Sequence, residues 1–74
     1  MESVGKRIRR LRLELDITQG ILSVMAEITR SDISKIENGL INLSAKRAER
    51  VAAALGVSPA YIMGREGDVH SGAF

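Results

Sequence analysis

Apolar residues recur at spacings of three and four along most of this chain, and no alternating run of strand length interrupts them. The pattern predicts an all-helical fold with five helices. Val4, Ile8, Leu11 and Leu15 form one stripe of a first helix over about residues 3–15, and Asp16 follows where a helix-ending residue often turns left-handed. Thr18 is a good N-cap for a second helix over about 19–26. Thr29 caps a third over about 30–37, and Asp32 three residues later resembles a capping box with Asp in place of Glu. Asn38-Gly39 ends it, and LINLS reads as a loop. Ser44 caps a fourth helix over about 45–55, with Ala45, Ala48, Val51, Ala52 and Leu55 as its buried stripe and Gly56 as its stop. Ser58-Pro59 opens a fifth over about 59–63 that brings Tyr61, Ile62 and Met63 onto the core. The pattern gives one domain over 1–64 and a flexible tail over 65–74.

Length and composition narrow the class. At 74 residues there is room for one small domain, burying roughly 60% of the unfolded chain's surface. With no cysteine, the core rests on aliphatic packing and the expected setting is reducing and cytoplasmic. No stretch reaches the roughly 20 apolar residues of a membrane span, and MESVGKRIRR lacks the apolar run of a signal peptide. The net charge of +2 conceals a cluster: Lys6, Arg7, Arg9, Arg10 and Arg12 stand against the single acid Glu2. That run reads either as a polyanion-binding surface or as a solvated helix face. Catalysis and metal binding have no support. The single histidine, His70, is in the tail, and no phosphate loop or nucleophile motif appears, so neither cofactor nor metal is expected.

The third helix carries the functional signal. At 100 degrees per residue from Thr29, Ile33 and Ile36 fall within about 40 degrees of one inward direction. Arg30, Ser31, Ser34 and Lys35 fall on the opposite side. Two cations and two hydroxyls on one face of a short helix suit a DNA major groove, where Arg and Lys donate to guanine and Ser donates or accepts. The short turn before this helix matches a helix-turn-helix, whose second helix enters the groove while the first crosses the backbone.

Ile8-Arg9, Leu11-Arg12, Thr18-Gln19, Leu22, Ile28-Thr29, Ile33-Ser34, Ile36-Glu37-Asn38-Gly39 and Ala54-Leu55-Gly56-Val57-Ser58 together resemble the helix-turn-helix proteins of the lambda repressor and Cro type, also called the Xre family. The resemblance covers about residues 4–63 and implies a compact five-helix DNA-binding domain with its helix-turn-helix at helices 2 and 3. It further implies a transcriptional regulator, a repressor by expectation, that binds a palindromic operator on double-stranded DNA as a homodimer and is nucleoid-associated when bound. By position, Thr29, Arg30, Ser31 and Lys35 match the family's base-reading residues. Gln19, Ser34 and Asn38 match its backbone contacts, and Arg47 and Arg50, beside Lys46, lie near the expected path of the strand. Arg12 and Glu37 match an ion pair joining helices 1 and 3, for which a structural role outweighs a direct one in DNA contact. Asp32 reads first as a cap or a partner of Lys35, and second as a reader of cytosine.

Several positions depart from the family. On helix 2, Leu22, Ser23 and Ala26 point inward, which leaves Ile21, Val24 and Met25 outward where polar residues are usual. Leu13 and Leu15 likewise replace usual polar positions on helix 1, and Leu40, Ile41 and Leu43 replace the polar, proline-bearing loop after helix 3. For the outward residues of helix 2 there are three readings: a protein partner, packing against helix 1 or the tail through Phe74, or a different helix register. The first adds a second function class, an antitoxin-like or adaptor module that meets a regulatory protein or a second subunit through Ile21, Val24, Met25, Leu40 and Ile41. Glu27 stands where the family's turn often has Gly, and Gly20 weakens helix 2.

Overall fold

In the computed structural model, which describes residues 2–65, five helices pack around one core: α1 (Val4–Glu14), α2 (Gln19–Ala26), α3 (Arg30–Glu37), α4 (Ala45–Leu55) and α5 (Pro59–Ile62). The tail beyond Arg65, including His70 and Phe74, lies outside the described residues. Each helix starts in the same way. Ser3, Thr18, Thr29, Ser44 and Ser58 hold extended backbone angles, and each hydroxyl accepts the amide three residues on, at 3.0 to 3.2 Å. A short hydroxyl is favoured at these positions because it satisfies an amide that the helix cannot.

The helices also stop alike. Asp16, Glu27, Gly39, Gly56 and Gly64 all have positive φ, and the following amide bonds back to a carbonyl in the last turn. In the turn between α2 and α3, Glu27 is left-handed at φ 56 and ψ 44, and the Ile28 amide reaches Ser23 O at 3.0 Å. This places Ile28 in the core and points α3 across α2. A left-handed conformation strains any residue with a Cβ. Glu27→Gly is therefore expected to stabilise the fold by about 0.5–1 kcal/mol, seen as a higher urea midpoint at unchanged slope. An unchanged or lower midpoint would show that the turn carries no such strain.

The core is built from Ile8 and Leu11 of α1, Leu22 and Ala26 of α2, Ile33 and Ile36 of α3, Ala48, Val51, Ala52 and Leu55 of α4, and Tyr61 and Ile62 of α5. In it α2 packs on α3 and α4, α1 on α3, and α5 closes on α4. Three sequence expectations need correction. Helix α1 stops at Glu14, so Leu15 is half exposed and the buried side is completed instead by Gly5 and Arg12. Ala45, in the first turn of α4, is exposed, and the packed stripe begins at Ala48. In the loop after α3, inward and outward positions alternate, so Leu43 is buried and Ile41 packs against the core while Leu40 faces out.

The basic run of α1 is largely committed within the fold. Arg10 reaches both carboxylate oxygens of Glu2, at 2.7 and 3.1 Å, and also Glu14 and the Tyr61 hydroxyl. These bonds raise the pKa of Arg10 above its ordinary value, with Glu2 the largest cause. The hydrogen bond from Arg10 holds the Glu2 carboxyl below its usual range despite partial burial. Arg7 lies over the Tyr61 ring and donates to Ile62 O and Glu2 O. Arg7 and Arg10 therefore staple α1 to α5, and of the run only Lys6 and Arg9 are left as exposed cations.

Candidate nucleic-acid interface

Helix α3 owes its outward face to its inner one. Ile33 and Ile36 are 1% and 3% exposed, so the helix cannot rotate about its axis without uncovering them. Arg30, Ser31 and Lys35 are consequently held toward solvent, and among the described residues their side chains make no hydrogen bond or ion pair. Thr29, also exposed, spends its hydroxyl on the Asp32 amide at 3.1 Å.

Beside this face, Ser34 is half-buried and accepts from the Asn38 side chain through both its carbonyl, at 2.9 Å, and its hydroxyl, at 3.4 Å. Asn38 thus ties the end of α3 back on itself. Asp32 does not pair with Lys35. It takes a hydrogen bond from Arg47 Nη2 at 2.9 Å, an ion pair between α3 and α4 in which both side chains are about a third exposed. Arg47 is half-buried in this pairing, whereas Lys46 and Arg50 are exposed on α4 without an ion pair among the described residues. Exposed cations without an ion pair among the described residues therefore lie on α3 and α4 and at Arg65 as well as at Lys6 and Arg9, although the sequence crowds its positive charge into α1.

At the start of α2 the Gln19 and Gly20 amides occupy the first two helical positions, which have no acceptor within the helix. The Gln19 side chain is half-buried, and its Nε2 donates to Glu37 Oε1 at 3.1 Å. Glu37 also accepts from Arg12 Nε at 2.8 Å and Nη2 at 3.1 Å, while Arg12 Nη1 donates to Ile17 O at 2.9 Å. The paired side chains are 8% and 2% exposed, so neither reaches a ligand. Hydrogen bonding to Glu37 outweighs desolvation and raises the Arg12 pKa above its ordinary value. The network joins the end of α1, the start of α2 and the end of α3. The tether from Gln19 had no signal in the sequence, because a separation of 18 residues has meaning only once α2 and α3 have crossed.

On the outer side of α2, Ile21 is 47%, Val24 78% and Met25 50% exposed, and Leu40 after α3 is 72% exposed. Ile41, expected to join them, is half-buried against the core.

The sequence profile of the helix-turn-helix family matches residues 8–62. The chain is 39% identical over 64 residues to an immunity repressor protein of Bacillus phage phi105, a match covering 86% of this chain and 44% of that relative's length. Its fold superposes on the P22 c2 repressor, solved with a synthetic operator, at a TM-score of 0.82 with 28% identity, covering 88% of this chain and 98% of that one. A complex of the SinR and SinI proteins gives 0.80 at 30% identity, over 88% of this chain and 64% of that one. The chain belongs to the helix-turn-helix family, of the lambda repressor and Cro type.

Proposed function

We propose that the protein is a sequence-specific DNA-binding transcriptional regulator, a repressor, that inserts α3 into the major groove of a palindromic operator as a homodimer. The observation that carries this is the outer face of α3, where Thr29, Arg30, Ser31 and Lys35 stand clear of the fold on a helix locked by Ile33 and Ile36. Arg30 and Lys35 would donate to guanine, Ser31 would donate or accept, and the Thr29 methyl would meet thymine. Gln19, Ser34, Asn38 and Arg50 would take backbone phosphates, and Arg47 would do so from its place beside Asp32. Family membership and the repressor relatives support the same reading.

Titration of labelled duplex DNA at two salt concentrations tests it, since binding through phosphates weakens as salt rises. Lys35→Ala should cost about 1–3 kcal/mol on a preferred sequence and flatten the preference. Gln19→Ala should weaken all sequences more evenly. Affinity indifferent to both salt and sequence would sink the proposal.

The apolar outer side of α2 favours a second reading, in which the domain meets a protein partner as an antitoxin-like or adaptor component. One structural relative is a complex with a second protein. Ile21→Glu with Val24→Glu separates the readings: a contact surface loses its self-association or partner, and a solvent face tolerates the change while DNA binding persists.

A further inference from the structure

We propose that Glu37, held in place by Arg12, is a positioning residue that presets Gln19 for its phosphate contact; the proposal rests on the DNA-binding reading above. A carboxylate only accepts hydrogen bonds, so the Gln19 carboxamide must turn Nε2 and not Oε1 toward Glu37. One Nε2 proton is spent there. The other is left as a donor on the residue that opens α2, whose first amides have no acceptor within the helix. A glutamine free to flip would present its carbonyl oxygen as readily, and two acceptors repel. The tether therefore sets both the polarity of the contact and its rotamer before any ligand arrives, so less ordering entropy is lost on binding.

Arg12 is the second half of the device. A bare carboxylate beside the start of α2 would repel a phosphate, but the Arg12 guanidinium covers both Glu37 oxygens, at 2.8 and 3.1 Å. Both side chains are buried, so they meet no phosphate themselves and act on DNA only indirectly, and the part that passes through Gln19 is what a double-mutant cycle with Gln19 isolates.

The test is a double-mutant cycle on the full chain with a fluorescein-labelled duplex of mixed sequence, about two helical turns long. Gln19→Ala is measured in the native background and again with Arg12→Met/Glu37→Met, which removes both charges and keeps the volume. The expected loss is about tenfold in the native background and under about twofold in the paired one. An equal loss in both, or no loss in either, overturns the positioning role and leaves DNA binding standing. No duplex binding by the native protein overturns the DNA reading together with it. Should the paired variant not fold, side-chain amide exchange in the native protein decides. One Gln19 Nε2 proton protected and rotationally restrained is the expected result, and a carboxamide as mobile as an ordinary surface glutamine overturns the proposal.

Discussion

Glu37→Ala is expected to cost about 3–5 kcal/mol, a large fraction of the roughly 4–11 kcal/mol that stabilises a chain this size. Alanine would leave two donors of the Arg12 guanidinium unmatched on a side chain that is 8% exposed in the intact fold, and would also strip the acceptor from Gln19. Arg12→Ala should cost about as much, since it leaves the more deeply buried carboxylate without a counter-charge and with only the Gln19 donor. Their shared cost lies in stranding a charge, and that yields a contrast. Arg12→Met/Glu37→Met removes both charges together and should be within about 1–2 kcal/mol of the native protein. Urea unfolding of the three variants checks this. Single variants as stable as the native protein would show that water reaches the pair and that it does not hold α1 to α3.

Gly5 should be the other position of large effect. A Cβ built there would meet the backbone carbonyl oxygens of both Ile36 and Glu37, the latter at 2.6 Å, so α1 and the end of α3 touch backbone to backbone. Carbonyls at a helix end cannot swing aside as a side chain can. Gly5→Ala is thus expected to destabilise by about 2–3 kcal/mol, and Gly5→Val to abolish cooperative unfolding. The sign is informative, because Gly→Ala in an unobstructed helix stabilises by about 1 kcal/mol. Gly20 is the internal control: its added Cβ would meet only Thr18 Oγ1 at 3.7 Å, an ordinary contact. Gly20→Ala should raise the thermal midpoint while Gly5→Ala lowers it. The same sign at both sites would contradict the close approach.

Gly5 and Arg12 also mark where sequence reading stopped. Helix ends were legible, because a hydroxyl at the N-cap and a left-handed residue at the stop are local requirements written in single residues. Thr18, Thr29, Ser44, Asp16 and Gly56 all stand where the pattern puts them. The face of α3 was legible because Ile33 and Ile36 fix its rotation. Contacts between helices were not. Periodicity cannot tell that Arg7 and Arg10 are claimed by Glu2, Ile62 and Tyr61, so the run of cations reads equally as a polyanion-binding surface or a solvated face and not as a staple between helices. Nor could it pair Asp32 with Arg47 instead of Lys35, since that choice depends on where α4 passes. The spacing that places Leu15 inward runs one residue past the end of the helix.

We propose above all that the outer face of α3 reads DNA sequence. Selection of bound duplexes from a random library, carried out with the native protein and with Arg30→Ala/Lys35→Ala, tests it most directly. The native protein should enrich inverted repeats whose half-sites lie about one helical turn apart, near 34 Å, and the variant should lose that enrichment. A native pool that stays random, or a variant that recovers the same sites, would contradict the claim.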